Sequence, residues 1–414
     1  HRHVPFGAPQ GKALPRLGSD HVSPAPIFTN TLQAAAQLLR PRRNYRSGKF
    51  VRLEKNPLQL WQVPAFKWYC LPVLVGDLCF QVYFEQEFLA LGVSLVNLFE
   101  LAGHEEARRR PDGILLFGVP EAVMQGERTG FYIDEDADVA VGAVVHSEEV
   151  DYFGYVKKMM LTLHNVIMMR RGRLPLHGAM AKVRLRRGPE FGLILVGDSG
   201  AGKSESLEAF RQLADEWISD MIVVFDDMGS LSVNDEGHLI AYGTEIGAFV
   251  RLDDIDPEYA FGNFDRGIFM NPHLNNARLV LPVTEYRHVV EGHRVDLLMY
   301  ANNYEPVTKE TPTIEYFSNP EEAMEVFRAG HRAAKGTTDE AGLARSYFAN
   351  PFGPPQMRDL HEELAQRYFA AAFRAGVRVG QLRTRLGIRG METQGPREAA
   401  EALFSELREH LRRG

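Results

Sequence analysis

One run of residues near the middle of the chain has the types and the spacing of a phosphate-binding loop. It consists of Gly197, Asp198, Ser199, Gly200, Ala201, Gly202, Lys203, Ser204 and Glu205. From Gly197 to Ser204 it matches the pattern G-x-x-x-x-G-K-[ST] without a gap. The apolar segment FGLILV precedes it, and the amphipathic segment KSESLEAFRQLADEW begins at its lysine. Because a strand entering the loop and a helix leaving it are the context this pattern requires, the sequence predicts a nucleotide phosphate site.

Each residue type in the loop suits that chemistry. Glycines let several backbone N–H groups converge on phosphate oxygens, and the N-terminus of the following helix adds a favourable dipole. Lys203 is then expected beside the terminal phosphates, and the Ser204 hydroxyl can ligate a divalent metal such as Mg²⁺. The expected nucleotide is ATP or GTP, between which the sequence does not discriminate. A chance glycine-rich turn between a strand and a helix is the alternative.

The hydrophobic pattern places this loop in an α/β arrangement. Residues 152–172 have helical periodicity, and the apolar segments 176–183 and 191–196 have the pattern of strands. The segment after the loop is expected to be a helix, and ISDMIVVFDD, which follows it, a strand. Strand, helix and strand in this order are typical of an α/β unit. Beyond residue 319 the pattern is mainly helical.

Length, composition and charge narrow the class of protein. The chain has 414 residues, of which 45% are hydrophobic and 24% charged, as in a soluble globular protein of two or three domains. A net charge of −7 provides no general attraction to nucleic acid or to an anionic membrane. Two cysteines, Cys70 and Cys79, suit neither a disulfide framework nor a zinc cluster. With no signal-peptide pattern and no uninterrupted apolar span, we expect a cytoplasmic protein.

Shifts in composition predict three parts. Residues 1–30 contain many prolines and are expected to form a loosely ordered arm. Residues 31–150 have the mixed pattern of an N-terminal α/β domain, and 151–414 are expected to form the nucleotide-binding and metal-binding catalytic domain, with a helical C-terminal part.

Several further segments share their order and pattern with one known family. They are YFGYVKKMM (152–160), LHGAMAKV (176–183), GTEIGAFVRLDDIDPEY (243–259), NNARLVLPV (275–283), NPEEAMEVFRAGHRAAKGTTDEAG (319–342) and YFANPFGPP (347–355). Together with the loop they resemble the ATP-type enzymes of the phosphoenolpyruvate carboxykinase superfamily, which also contains HPr kinase/phosphorylase. The loop itself is similar to the HPr kinase version and departs from the carboxykinase form G-L-S-G-T-G-K-T-T. The resemblance covers about 150–414 and implies a two-domain α/β carboxykinase-like fold with its active site between the domains.

The resemblance also implies a metal site formed by Lys158, His177 and Asp220. Because an ammonium cannot coordinate a metal, Lys158 would have to be neutral, which burial and nearby positive charge favour. Imidazole and carboxylate ligands suit Mn²⁺. Asp220 takes its place from the family segment L-I-G-D-D-E-H, which here reads WISDM with a single acidic residue. The corresponding residue of HPr kinase is thought to act as a general base. Two roles, metal ligand and general base, therefore stay open for Asp220.

Three more residues are implied to contact the substrate. Arg278 matches the family arginine that bridges the transferred phosphoryl group and the organic acid, and its guanidinium fork suits that role. Tyr152 matches a tyrosine near the acid. Arg46, in YRSGKFVR, matches an arginine that holds the substrate carboxylate.

The adjacent acids Asp226 and Asp227 are a reserve candidate for a metal-binding carboxylate beside the nucleotide. They follow Asp220 at the far end of the apolar run MIVVF. If that run is one strand, the pair is expected at the edge opposite the phosphates, in a surface turn.

The predicted activity is metal-dependent phosphoryl transfer from a nucleoside triphosphate. The reaction that the resemblance favours is oxaloacetate plus ATP giving phosphoenolpyruvate, CO2 and ADP. The loop variants Asp198 and Glu205 and the single Asp220 favour instead a kinase that phosphorylates a hydroxyl of a small molecule or of a protein serine. The third hypothesis is a regulatory protein that binds a nucleotide but catalyses no reaction. The expected partners are thus a nucleotide and a small-molecule or protein acceptor, with no nucleic acid and no membrane.

Overall fold

The computed structural model describes residues 50–147, 150, 152–186, 188–198, 200–212, 218–251, 267–270, 278–334 and 342–413. Both helices and strands occur throughout this part of the chain, and the strands form several sheets, so the expected mixed α/β class is confirmed. None of the helices in the described ranges has an apolar stretch that would reach across a bilayer. The predicted arm at 1–30 lies outside the described residues.

The regular elements are numbered here in chain order. The strands are β1 (Val51–Arg52), β2 (Trp68–Val75), β3 (Leu78–Glu85), β4 (Glu100–Leu101), β5 (Gly113–Val119), β6 (Thr129–Asp134), β7 (Val139–Val145), β8 (Leu174–Leu185), β9 (Glu190–Val196), β10 (Ile218–Val233), β11 (Leu239–Gly243), β12 (Gly247–Arg251), β13 (Ile268–Met270), β14 (Arg278–Pro282), β15 (His293–Arg294), β16 (Leu297–Asn302), β17 (Ile314–Tyr316), β18 (His331–Ala333), β19 (Leu343–Arg345) and β20 (Arg378–Arg383). The α-helices are α1 (Pro57–Leu60), α2 (Leu89–Ser94), α3 (His104–Arg108), α4 (Phe153–Arg170), α5 (Lys203–Gln212), α6 (Tyr286–Val290), α7 (Pro320–Ala329), α8 (Arg358–Arg374) and α9 (Gln394–Arg413).

The chain forms two compact units. Among the described residues, the first unit takes those up to Ile167 and those between Thr244 and Val283, and the second takes those from Met168 to Gly243 and those from Thr284 onward. This division differs from the continuous domains expected from composition. The boundary falls within α4 instead of at residue 150, and the segment 244–283 belongs with the N-terminal residues.

A seven-stranded sheet forms the body of the first unit, in the order β1-β6-β7-β5-β3-β2-β4. β5 pairs in parallel with β3 and β7, and all of its residues are buried. A segment as uniformly apolar as GILLFGV suits a strand that is covered on both faces. The segment 244–283 contributes a separate antiparallel sheet in the order β12-β14-β13.

An eight-stranded sheet organises the second unit, in the order β15-β11-β10-β8-β9-β16-β20-β17. β8 is antiparallel to both of its neighbours, β9 and β10, so those two strands run in the same direction. β16 is parallel to β9 and to β20. The carboxyl ends of β9, β10, β16 and β20 therefore lie along one edge, where α/β proteins commonly bind ligands.

Two helices cover one face of this sheet. α5 and α9 pack over the inward side chains of β9, β16 and β20, and their contact includes Phe210 and Phe404, whose rings lie 5.0 Å apart edge to face. The predicted helix after the glycine-rich loop is confirmed from Lys203 to Gln212, and its predicted remainder, 213–217, lies outside the described residues.

The mainly helical C-terminal part is confirmed only in part. α7 begins where Asn319 caps it by accepting a hydrogen bond from the Glu322 N–H, and it ends at Gly330 in the left-handed conformation. However, β18, β19 and β20 also follow residue 319, and β20 lies inside the sheet between β16 and β17. The segment RVGQLR is too short for its pattern to reveal a buried strand, whose partners are remote in sequence.

Candidate functional site

The glycine-rich loop connects the carboxyl end of β9 to the first turn of α5. Gly200 and Gly202 have φ angles of 80° and 95°, which glycine adopts without strain. A Cβ atom on Gly202 would lie 2.8 Å from the Thr384 hydroxyl oxygen. That hydroxyl donates a hydrogen bond of 2.8 Å to the Ala201 carbonyl. Both the backbone conformation and the close contact therefore require glycine at position 202.

A buried asparagine holds the other side of the loop. The Asn303 side-chain amide donates to the Gly200 carbonyl at 2.8 Å and to the Ala333 carbonyl at 3.1 Å. Its carbonyl oxygen accepts from the Ala333 N–H at 2.8 Å. Asn303 is fully buried, so these bonds fix the loop to the strand pair β18–β19. No sequence motif marked Asn303 or Thr384, because each is remote from the loop along the chain.

Lys203 lies at the N-terminus of α5 and is buried, with 6% of its surface exposed. Its ammonium donates hydrogen bonds to the carbonyl oxygens of Gly197, at 2.6 Å, and Asp198, at 3.2 Å. Burial lowers the pKa of Lys203, while four carboxylates oppose that shift. These are Asp227, Asp198, Asp226 and Glu205. The loop thus holds a cation in place within an acidic surrounding.

The next residue, Ser204, contacts β10. Its hydroxyl donates a hydrogen bond of 2.8 Å to a carboxylate oxygen of Asp226. Burial raises the pKa of Asp226 to about 6, although the Ser204 hydrogen bond and the Lys203 charge both act to lower it. A serine hydroxyl at the start of the loop helix, next to a carboxylate from a strand, is the pair that holds Mg²⁺ in phosphate-loop nucleoside triphosphatases.

His177 and Asp227 form a second pair at the same edge. The His177 ring is buried, with Nδ1 2.6 Å from the Ala349 carbonyl oxygen and Nε2 2.9 Å from a carboxylate oxygen of Asp227. Both neighbours are hydrogen-bond acceptors, and a neutral imidazole donates from only one nitrogen. With Nδ1 donating to Ala349, Nε2 has a lone pair that, together with the Asp227 carboxylate, can ligate a cation.

Asp198 is fixed by an arginine that the sequence did not mark. The Arg332 Nε donates a hydrogen bond of 2.9 Å to one Asp198 carboxylate oxygen. The other carboxylate oxygen lies 3.7 Å from Nδ1 of His177. Both partners of the Arg332–Asp198 ion pair are largely buried. Through these contacts Asp198 links the loop to Arg332 on β18 and to His177.

The placement of Asp220 and of the acid pair must be corrected. The strand register aligns Asp227 with Gly178, which is aligned in turn with Val196, the last residue of β9 before the loop. Asp220 is aligned with Arg184, at the other end of these strands, and is exposed. At about 3.3 Å per residue, roughly 23 Å of strand separate Asp220 from Asp227.

The expected surface turn at Asp226 and Asp227 is therefore wrong, and Asp220 does not lie beside His177 or Ser204. β10 continues well past the pair, to Val233, so the two acids lie within the strand near the loop. The prediction failed because it placed the loop beside the wrong part of β10. Asp220 lies at the beginning of β10, whereas the loop lies beside its carboxyl-terminal half. The family segment L-I-G-D-D-E-H has two adjacent acids, and that feature, present in FDD at 225–227, was the signal that could have found them.

The remaining predicted residues lie in the first unit or outside the described residues. The rings of Tyr152 and Phe249 lie 6.0 Å apart, and the Arg278 guanidinium lies 5.4 Å from the Phe249 ring centre, so the structure brings Tyr152 and Arg278 to one aromatic side chain. Lys158 is partly buried on α4, and its carbonyl accepts a hydrogen bond from Thr162. Ser199 and Arg46 lie outside the described residues.

The donor atoms present fit divalent cations in two places. Ser204 and Asp226 offer a hydroxyl and a carboxylate, and His177 and Asp227 offer an imidazole nitrogen and a carboxylate. A ligand histidine usually donates its other N–H to a carbonyl, as His177 does to Ala349. Among the described residues, no group of three or more His, Cys, Asp or Glu side chains is arranged around one point as a metal site. Each pair would thus need further ligands from bound phosphates or water.

Comparison with known proteins assigns neither a family nor a function to the chain. No family model matches the sequence, and no curated protein matches it significantly. The resemblance to the carboxykinase superfamily therefore depends on the quoted segments alone.

Proposed function

We propose that the second unit binds a nucleoside triphosphate along Gly197–Glu205 and that the protein transfers its terminal phosphoryl group to an acceptor. The observation that carries this proposal is the hydrogen bond between Ser204 and Asp226, next to the buried ammonium of Lys203. A glycine turn, a lysine, a hydroxyl and a carboxylate on a nearby strand of the same sheet are the parts that bind nucleotide phosphates and their Mg²⁺. In this proposal the second unit corresponds to the nucleotide-binding part of the carboxykinase-like fold that the resemblance implies.

One or two sets of residues would hold metal ions in this proposal, depending on the reaction. Ser204 and Asp226 would hold Mg²⁺ at the nucleotide. In the carboxykinase reaction His177 with Asp227 would hold a second cation such as Mn²⁺, whereas in the kinase reaction Asp227 would ligate no metal and would act as a base. Bound cations of this kind neutralise charge on the phosphates. The protein residues supply the rest, since Lys203 and the loop N–H groups orient the phosphates, and Asn303 and Thr384 keep the loop in its binding shape.

The position of Asp227 favours a hydroxyl acceptor, and thus a kinase. Asp227 is aligned with the residue that precedes the loop, and His177 holds its carboxylate. A carboxylate so placed can accept the acceptor's proton as its oxygen attacks the terminal phosphorus and the bond to the nucleoside diphosphate breaks. In this proposal Asp227 takes the general-base role that the resemblance had given to Asp220.

The carboxykinase reaction, which the resemblance favours, is the second candidate here, and the contacts of Tyr152 and Arg278 with Phe249 support it. Tyr152 and Arg278 are two of the residues that the resemblance connects with an organic acid. In that reaction oxaloacetate loses CO2, and the resulting enolate oxygen takes the terminal phosphoryl group of ATP.

One experiment separates these readings. The purified protein is incubated with labelled ATP, Mg²⁺ and Mn²⁺, once with oxaloacetate and once with a pool of hydroxyl-bearing metabolites and protein substrates. Label in the pool supports the kinase, and oxaloacetate-dependent phosphoenolpyruvate supports the carboxykinase. Lys203→Ala should abolish either activity and weaken ATP binding, whereas Lys309→Ala, an exposed lysine in the same unit, should not. Full activity in Lys203→Ala, or ATP binding without any transfer, would overturn the proposal.

A further inference from the structure

The second unit has a concave pocket that is lined mainly by arginines. Its volume is about 430 Å³, and four arginines, Arg171, Arg173, Arg367 and Arg374, contribute to its wall. None of the described residues that line it is acidic. The pocket thus gathers four guanidinium groups on a chain whose net charge is −7.

Local structure explains why the arginines converge. Arg367, Ala371 and Arg374 are spaced one and two helical turns apart on α8, so they share one face. Ala371 is small and buried, which leaves open space between the two arginines. Arg171 and Arg173 come from the other side, in the turn between the end of α4 and the start of β8.

Part of the pocket is fixed by hydrogen bonds that leave guanidinium groups in its wall. Arg367 Nη2 and the Tyr368 hydroxyl both donate to the Gly172 carbonyl, at 2.6 and 2.7 Å. The Arg173 guanidinium lies over the Tyr242 ring, 4.3 Å from its centre. These contacts hold the turn against α8, so the pocket has a defined shape and does not depend on mobile side chains alone.

The pocket is separate from the candidate nucleotide site. Ser232, which also lines it, stands five positions after Asp227 on β10, roughly 17 Å along the strand. The nucleotide loop lies at the level of Asp227. A ligand of the arginine pocket would therefore be a second molecule, and its binding does not require the proposed function to hold.

We propose that this pocket binds a small molecule that carries at least two phosphate groups. The guanidinium fork pairs with phosphate oxygens in bidentate fashion, and the four forks around this pocket carry more N–H donors than one phosphate group has oxygens. The volume is within the range of pockets for small ligands, about 300–1,000 Å³. A nucleic acid would meet the overall negative charge of the chain outside the pocket, which favours a compact ligand.

The test uses inorganic pyrophosphate as the probe and isothermal titration calorimetry as the measurement. Pyrophosphate could also enter the glycine-rich loop, so every protein in the series carries Lys203→Ala. One member adds Arg171→Glu with Arg374→Glu, two exposed residues of the pocket. The matched control adds Arg287→Glu with Arg389→Glu, two exposed arginines elsewhere in the same unit, which changes the net charge equally.

The proposal predicts saturable binding to the Lys203→Ala protein and a loss of affinity of about tenfold or more in the pocket variant. The control pair should keep the original affinity. Arg374→Gln repeats the test with a single exposed side chain and should also weaken binding. Absent binding, or an equal loss in the pocket and control variants, would overturn the proposal. ATP binding by the pocket variant with Lys203 intact reports on the glycine-rich loop independently, so a failure of either site is recognised separately.

Discussion

The Ser204 hydroxyl and the Asp226 carboxylate are joined by a hydrogen bond of 2.8 Å between the first turn of α5 and the middle of β10. The link arises because β10 runs parallel to β9, the strand that leads into the glycine-rich loop, with β8 between them. Because β9 and β10 run in the same direction, the carboxyl-terminal half of β10 lies at the same edge of the sheet as the loop. The hydroxyl and the carboxylate thus meet through the topology of the sheet.

Replacing Asp226 by Asn should remove the negative charge while keeping an oxygen that can accept the Ser204 hydrogen bond. We expect the phosphoryl-transfer rate to fall by about 100-fold or more, because a neutral amide binds Mg²⁺ weakly. Steady-state kinetics over a range of Mg²⁺ concentrations measures the effect. Asp220→Asn is the control, since Asp220 is exposed at the other end of the strand and should retain full activity. Equal losses in both variants would contradict this assignment.

The raised pKa of Asp226 predicts a pH-dependent stability. Because its pKa in the folded protein is about 6, against an ordinary 3.8, the folded protein holds this proton where the unfolded chain has lost it. Its contribution to stability is therefore complete below about pH 4 and is lost as the pH rises to about 6. The loss is on the order of 3 kcal/mol.

Urea denaturation of the metal-free protein between these pH values measures that contribution. Other carboxyl groups titrate in the same range, so the quantity to compare is the difference between the wild-type protein and Asp226→Asn. The free energy of unfolding of the variant should decline less as the pH rises. Parallel curves for the two proteins would show that Asp226 ionises normally.

Gly202→Ala should distort the loop. The substitution forces alanine into a φ of 95° and brings its Cβ to 2.8 Å from the Thr384 hydroxyl, so we expect a loss of about 2–3 kcal/mol in unfolding free energy and weaker ATP binding. Gly237→Ala is a matched control, because its φ is 83° but no atom lies within 4 Å of the added Cβ. It should cost about 1 kcal/mol and leave ATP binding unchanged. Chemical denaturation and calorimetry test both. Intact ATP binding in Gly202→Ala would show that the loop tolerates the contact.

The sequence predicts the parts of this site that are close together along the chain, but not the residues that reach it from distant segments. The loop from Gly197 to Ser204 is contiguous, and the strand before it and the helix after it follow from periodicity. The acid that meets Ser204 depends on strand direction and register, which a run of apolar residues does not specify. Asn303 and Thr384 are remote from the loop in sequence and belong to no motif, so only the packing of β16 and β20 beside β9 reveals them.

Asp227→Asn tests whether the carboxylate beside His177 takes part in the transfer. If it accepts the proton of a hydroxyl acceptor, kcat should fall by about 100-fold to 10,000-fold, while the dissociation constant for ATP changes little. The reason for this division is that Lys203, whose ammonium is hydrogen-bonded to the loop carbonyls, is the residue expected to bind the phosphates. Single-turnover transfer and ATP calorimetry, performed on the same preparations, separate the two quantities.

A purely structural role for Asp227 predicts a different result. The Asn side chain has an amide N–H that can donate to His177 Nε2 while Nδ1–H is donated to Ala349, so the contact at 2.9 Å would survive and kcat would stay near that of the wild-type protein. His177→Asn provides the complementary measurement, because it removes the partner and leaves the carboxylate. If Asp227 is the base and His177 positions it, His177→Asn should lower kcat, but less than Asp227→Asn does, and should leave the dissociation constant for ATP unchanged. A wild-type kcat in that variant would restrict His177 to packing against Ala349 and Phe352.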